Sequence, residues 1–379
     1  MSFSLLALVV LVGLLGPLLA GRECWHLPGV VGELFGGLLV GASGLRLLDS
    51  KEPTFILLAN VGFALVMFVV GSHVPIREGT IRRALGRGSL GAVLVGLVAA
   101  LAAIGLAGLF GTGHAALYGV VIASSSAALV LPIVGSLKLG DTTQLVAQVA
   151  IADAACIIAL PLAIDPARAL TTGIGAIAVV AAAVILFFAL RALDRNGLRK
   201  RVRRLSERRK FALELRINLL LLFGLAALAQ FAQVSVLLAG FLLGLVVAAI
   251  GEPRRLARQL FGITEGFFGP LFFVWLGASI SLSDLGSHPG MILLGGCLGG
   301  AAILSHLSAR LVSQPLLLGV VAAGQLGVPI AAAALGNQLR VLQPGEDAAL
   351  LLGALLTIVA TTVAASVRAR RQQHTAIAT

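Results

Sequence analysis

Long apolar runs separated by short polar connections set the rhythm of this chain. Stretches of 17 or more mostly apolar residues recur along its whole length, each long enough to cross about 30 Å of hydrocarbon as a helix. The strict alternation that a membrane barrel needs is missing. The pattern predicts an all-α polytopic membrane protein with about thirteen transmembrane helices. They fall at residues 3–20, 28–45, 54–73, 88–112, 115–137, 142–164, 172–192, 212–231, 233–250, 263–283, 289–311, 315–338 and 346–367. The first run is read as a span and not a cleaved leader, because no positive charge opens it.

Composition agrees: of 379 residues, 59% are hydrophobic and 12% charged, with a mean hydropathy of +1.04. No soluble domain of this length carries such a surface. The formal charge of +12 would suggest nucleic acid if it were spread evenly, but it is sorted by side. Alternate loops and the C-terminal tail hold 23 of the 28 Lys and Arg, and the other loops hold only Arg46, Lys51, Arg168 and Arg340. By the positive-inside rule the N-terminus is outside and the C-terminus cytoplasmic. The run from Arg195 to Lys210 is then a topogenic loop against anionic lipid, with no nucleic-acid role. Cys24, Cys156 and Cys297 show no metal spacing and no disulfide framework. No nucleophile triad, metal cluster or phosphate loop appears, so neither an enzyme nor a cofactor is expected. No soluble domain is expected before the first span or after the last, which would place any nucleotide-sensing regulatory module on another chain.

Against this background Asp153 stands out, near the middle of the sixth span in QVAIADAACIIALPLAI. A carboxylate at that depth costs several kcal/mol unless it serves a purpose. An ion or proton site is the preferred reading over a structural hydrogen bond. Spans 5 and 12 carry the marks of discontinuous helices. Residues 123–132, ASSSAALVLP, place Ser124, Ser125, Ser126 and a proline at mid-membrane, and residues 324–336, GQLGVPIAAAALG, place Gln325, Gly327 and Pro329 there. Proline frees carbonyls that must find partners. Those carbonyls and the serine hydroxyls are expected to coordinate a dehydrated cation beside Asp153.

The chain also resembles itself. GGLLVG at residues 36–41 parallels AGFLLG at 239–244, and MFVVGS at 67–72 parallels FVWLGA at 273–278. The match pairs helices 1–6 with helices 8–13, and helix 7 connects them. Two six-helix copies with one helix between them enter the bilayer from opposite sides, the inverted arrangement of many secondary transporters.

Nearly the whole length resembles the monovalent cation/proton antiporters, particularly the bacterial Kef-type branch. The resemblance is carried by LPGVVGELFGGLLVGASGL, GFALVMFVVGSHVPI, ASSSAALVLPIV, LLAGFLLGLVV and GPLFFVWLGASISLSDL, in this order. It implies a homodimer in the bacterial inner membrane. Its dimerisation part would be residues 1–75 and 211–285, its mobile core residues 88–164 and 289–367, and residues 165–210 the connector helix and basic loop. It also implies two broken helices crossing at mid-membrane. There Asp153 would bind cation and proton alternately, with Ser124 to Ser126 as the hydroxyl-bearing break. The chain departs from the family in three places: Ala152 replaces the first Asp of a common pair, His306 is the nearest match to a membrane lysine, and Gly327, Val328 and Pro329 stand where Gly-Glu-Phe is usual.

The expected function is exchange of Na+ or K+ for a proton. Desolvation penalises an ionised carboxylate at mid-membrane, so that proton and cation compete for it. With one carboxylate and no lysine, one-for-one electroneutral exchange is the simplest stoichiometry. His306 is a candidate pH modulator or charge partner. Glu33 is read as a helix-packing residue or a vestibule residue. A cation channel, or a sodium-coupled carrier of a small organic anion, is the alternative.

Overall fold

A computed structural model describes residues 1–20, 29–72, 79–137, 139–165, 169–197, 212–232, 234–251, 254–280 and 286–378. Cys24, Arg168 and most of the basic run at 195–210 lie outside the described residues. Among the described residues helices fall within each predicted position, without fixing the number of spans at thirteen. In chain order these are α1 (Phe3–Gly13), α2 (Leu15–Ala20), α3 (Gly29–Val40), α4 (Pro53–Ser72), α5 (Gly79–Phe110), α6 (Ala115–Ala123), α7 (Ala127–Ser136), α8 (Thr143–Ile164), α9 (Ala169–Arg195), α10 (Leu213–Phe231) and α11 (Val236–Ile250). They are followed by α12 (Arg254–Ile263), which runs through a π-helical turn (Thr264–Phe268) into α13 (Gly269–Ser279). Then come α14 (Pro289–Leu307), α15 (Leu316–Ala322), α16 (Gly327–Leu339) and α17 (Glu346–Ala378).

Among the described residues nine helical stretches are long and apolar enough to cross a membrane unaided, and Phe3–Leu19 and Val236–Ile250 are shorter apolar helices. The difference from thirteen has a geometric cause. A helix rises 1.5 Å per residue, so the 12 residues of α3 cover about 18 Å, well short of the hydrocarbon thickness. Helix length by itself therefore accounts for nine crossings. The outward faces suit lipid: α5 exposes Leu90, Val93, Leu97, Leu101 and Ile104, and α9 exposes Leu170, Ile174, Ile177, Ile185 and Phe188.

The helices pack in two groups. In one, α3 lies against α13 and α4 against α11; in the other, α5 packs on α6 and α8, and α14 on α17. Glycine sets the approach in the first group. A methyl group at Gly37 would meet the backbone of Val274 in α13, and one at Gly277 would meet that of Leu34 in α3. The second pair repeats this, since Gly240 abuts the carbonyl of Ala64 and Gly71 that of Phe241. Small residues let backbones approach closely where lipid gives no hydrophobic drive for association. In the second group a separate apolar cluster of Val130, Leu145, Val149, Val321 and Ala365 binds α7, α8, α15 and α17 together.

Candidate ion site at the crossing of two broken helices

Span 5 breaks between α6 and α7, where Ser124 and Ser126 take extended backbone. Span 12 breaks at residues 323–326, between α15 and α16. Pro329 is the third residue of α16, a position whose N–H has no partner within a helix in any case. The break therefore precedes this proline. Because both gaps are buried, every backbone polar group they release needs a partner inside the protein.

Each break supplies partners for the other. Ser126 N–H donates to the carbonyl of Gly324 at 2.8 Å, and Ser125 Oγ donates to that of Ala322 at 2.6 Å. In return, the Gln325 side-chain amide donates to the carbonyls of Val121 at 2.6 Å and Ile122 at 3.3 Å. Two threonines of α17, one turn apart, complete the set. Thr357 Oγ1 accepts from Gln325 N–H at 3.1 Å, and Thr361 Oγ1 donates to the carbonyl of Val320 at 3.2 Å.

Asp153, at the midpoint of α8, points into this crossing and is 1% exposed. Its Oδ2 accepts the backbone N–H of Ala127, the first residue of α7, at 2.9 Å. A carboxylate there faces the positive end of a helix. The start of α16 lies in the same place, for Gly327 and Leu326 line a cavity of about 30 Å³ together with Asp153, Ser126, Met67 and Ile157. That volume holds one or two waters, or one dehydrated ion of similar size.

The sequence-predicted residues divide. Asp153, Ser126 and Gly327 line one cavity. Ser124 turns away, its Oγ donating to the carbonyl of Val121 at 2.7 Å. Ser125 meets Nε2 of His306 at 3.1 Å, and Nδ1 of His306 donates to the carbonyl of Ala302 at 2.8 Å. The histidine's two ring nitrogens are thus directed at Ser125 and its own helix, not at Asp153. Gln325 ties the two breaks together and does not line the cavity, and neither does Pro329.

Two larger cavities also touch α4. The first, about 260 Å³, reaches Asn60 and Phe63 of α4, Pro161 and Ile164 of α8, and Gln338 of α16. The second, about 390 Å³, takes in Val66, Val69 and Val70 of α4 with Glu33, Thr264 and Glu265. It shares Val66, Val70, Phe273 and Leu326 with the Asp153 cavity, whereas the first shares none of its lining residues. The Asp153 cavity thus adjoins the second of these and is separate from the first.

Other polar residues escaped notice in the sequence. Glu346, fully buried at the start of α17, accepts from Tyr118 Oη at 2.6 Å and Gln343 N–H at 2.8 Å, and lies 2.7 Å from His114 Nδ1. The signal was present as a histidine and tyrosine four apart at a helix start, but nothing local pointed to Glu346. Thr357 and Thr361 likewise read as ordinary packing residues.

Comparison with known proteins sets this geometry in a family. The model of the family described as sodium/hydrogen exchanger, transmembrane, matches residues 6–369. The putative Na(+)/H(+) antiporter YjbQ of Bacillus subtilis is 25% identical over 96% of this chain and 62% of its own length. The Na(+)/H(+)-K(+) antiporter GerN of Bacillus cereus is 24% identical over 77% of this chain and 76% of its own. The glutathione-regulated potassium-efflux system protein KefC of Klebsiella pneumoniae is 29% identical over 76% of this chain and 46% of its own. The chain therefore spans about three-fifths of the length of YjbQ, and the alignment to KefC covers less than half of that protein. The solved sodium proton antiporter MjNhaP1 of Methanocaldococcus jannaschii shares the fold, with a TM-score of 0.63, 16% identity, and 96% of this chain and 95% of that one covered. With the family model matching nearly end to end, over an all-helical architecture with two broken helices beside a buried aspartate, the chain belongs to the transmembrane sodium/hydrogen exchanger family.

Proposed function

We propose that the protein exchanges a monovalent cation, Na+ or K+, for a proton across the bacterial inner membrane, with Asp153 as the group both ions share. The observation that carries this reading is one buried carboxylate held against the start of α7, in a small cavity that adjoins a larger one. The relatives named as Na(+)/H(+) and Na(+)/H(+)-K(+) antiporters support it. Ser126 and carbonyls of the breaks serve the dehydrated cation, while His306, in contact with Ser125 behind it, modulates the pH response. Proton and cation each carry one charge, so a single carboxylate alternating between them moves no net charge.

Alternating access follows if α5–α8 and α14–α17 move as a core against α3, α4, α11 and α13. Each vestibule then opens to Asp153 in turn. The paired glycine contacts, Gly37 with Gly277 and Gly240 with Gly71, support reading the two halves as inverted copies. They also suit a rigid, dimer-forming part against which the core slides. The charge bias of the loops supports an outside N-terminus and a cytoplasmic C-terminus, which directs the Glu33 vestibule to the cytoplasm.

The test is ion flux in proteoliposomes under an imposed Na+ or K+ gradient. Asp153→Asn abolishes coupled proton movement; exchange by that variant at the wild-type rate would overturn the assignment. A potential-sensitive dye stays silent during wild-type turnover, and a signal that follows the cation gradient would refute one-for-one exchange.

A further inference from the structure

The vestibule beside the Asp153 cavity holds chemistry that the shared carboxylate does not use. Its two acidic side chains come from different elements, Glu33 from α3 and Glu265 from the π-helical turn, and Thr264 adds a hydroxyl. Glu33 is 8% exposed, yet it makes no hydrogen bond or ion pair among the described residues. Glu265 is near enough to add a like charge to its surroundings. A buried carboxylate without a hydrogen bond, with a second carboxylate nearby on the exposed turn, favours a cation beside it.

Thr264 supplies an independent sign. Its side chain is 2% exposed and its Oγ1 has no hydrogen-bond partner. In a helix a threonine hydroxyl ordinarily bonds back to the preceding turn, and a buried bond left unmade is costly. Here the carbonyl of Thr264 accepts from Gly269 N–H, five residues on, so the helix is widened at this point. π turns of this kind recur at functional sites. Gly16 fits the same picture, because a methyl group there would lie 2.8 Å from Cγ and Oε1 of Glu33. The absent side chain leaves the glutamate its place beside the cavity.

We propose that Glu33, Glu265 and Thr264 form a second cation site, a waiting station for the transported alkali ion on its way to Asp153. A cavity of about 390 Å³ is far larger than a dehydrated ion, so the ion keeps much of its water and binds loosely. Its last step passes Val66, Val70, Phe273 and Leu326, which line both cavities. The charge is monovalent because the carboxylate it reaches next is single. This site rests on the exchange reading for its role, while binding at it does not require exchange.

Two measurements test the proposal. In vesicles of known orientation, Glu33→Gln raises KM for Na+ or K+ presented from the cytoplasmic face by about tenfold, with a much smaller effect on kcat and on KM from the other face. Thr264→Val raises the same KM less, and does not reduce folding stability because the hydroxyl it removes has no partner. Unchanged cytoplasmic KM in both variants overturns the proposal, as does an equal rise from both faces. The second measurement is thermal stabilisation of purified Asp153→Asn protein by NaCl and KCl, against choline chloride at equal ionic strength. Stabilisation persists in Asp153→Asn and is lost in Asp153→Asn/Glu33→Gln. An inert Asp153→Asn protein with no cation response overturns the second site and leaves the exchange reading standing. An Asp153→Asn protein that exchanges normally removes the exchange reading, and the same salt series still decides whether the vestibule binds cations.

Discussion

Replacing Gln325 by leucine removes the side-chain amide that stitches the two breaks together while keeping most of the volume, so cavity effects are small. The amide donates to the carbonyls of Val121 and Ile122. The first keeps other donors, Ser124 Oγ at 2.7 Å and Ser124 N–H at 3.1 Å. The second loses its one side-chain donor among the described residues. One lost hydrogen bond contributes about 0.5–1.5 kcal/mol, and a buried carbonyl left unmatched a further 1–3, so the expected loss is about 2–4 kcal/mol. The contrasting variant is Asp153→Asn. Its amide oxygen can still accept Ala127 N–H, so the expected change is about 1 kcal/mol or less, although transport is abolished. Reversible unfolding in detergent micelles, read by tryptophan fluorescence, measures both. A change below about 0.5 kcal/mol for Gln325→Leu, the range of ordinary surface substitutions, would refute the claim that the breaks depend on each other.

Gly240→Val pushes a branched side chain into the carbonyl of Ala64 and is expected to cost about 1–3 kcal/mol or more. Gly96→Ala, where nothing lies within 4 Å, costs nothing; equal losses in the two variants would discount close packing of α4 on α11. Ahead of α8, Asp141 accepts from Thr143 N–H at 3.0 Å and Thr143 Oγ1 at 2.7 Å. These bonds hold its carboxyl below the usual carboxylate range. A lowered value stabilises the fold above the unfolded carboxylate range, about 3.9, and that contribution disappears as the pH falls through the lowered value. Asp141→Asn is therefore less stable than wild type near neutrality and converges on it in acid, as paired unfolding curves across pH will show. A gap that widens in acid contradicts the assignment.

Much of the helix layout was legible because lipid imposes a one-dimensional rule. A helix must be apolar for about 20 residues to cross, so length and composition locate it wherever the run is unbroken, as in α4, α8 and α9. The rule overstates α3, where twelve helical residues give way to turns after Val40. Breaks were legible as well, where Ser, Gly, Gln and Pro cluster together at the middle of an apolar run. The assignment of partners was not. Ser124, Ser125 and Ser126 are adjacent in sequence, yet extended backbone sends the hydroxyls of Ser124 and Ser125 to different carbonyls, and Ser126 lines the cavity with Asp153.

Residue order alone determined that this chain is a multi-helix membrane protein, where its long helices run, and that Asp153 lies at the middle of one. Those properties depend on the solvation of successive residues, a quantity that sums along the chain. Tertiary structure decided what surrounds the aspartate: the start of α7 from 26 residues upstream, the neighbouring vestibule with Glu33 from α3 and Thr264 from the π turn, and the threonines of α17 beneath the crossing. Those neighbours come from spans distant in sequence, and helix crossing brings them within hydrogen-bonding distance or around a common cavity.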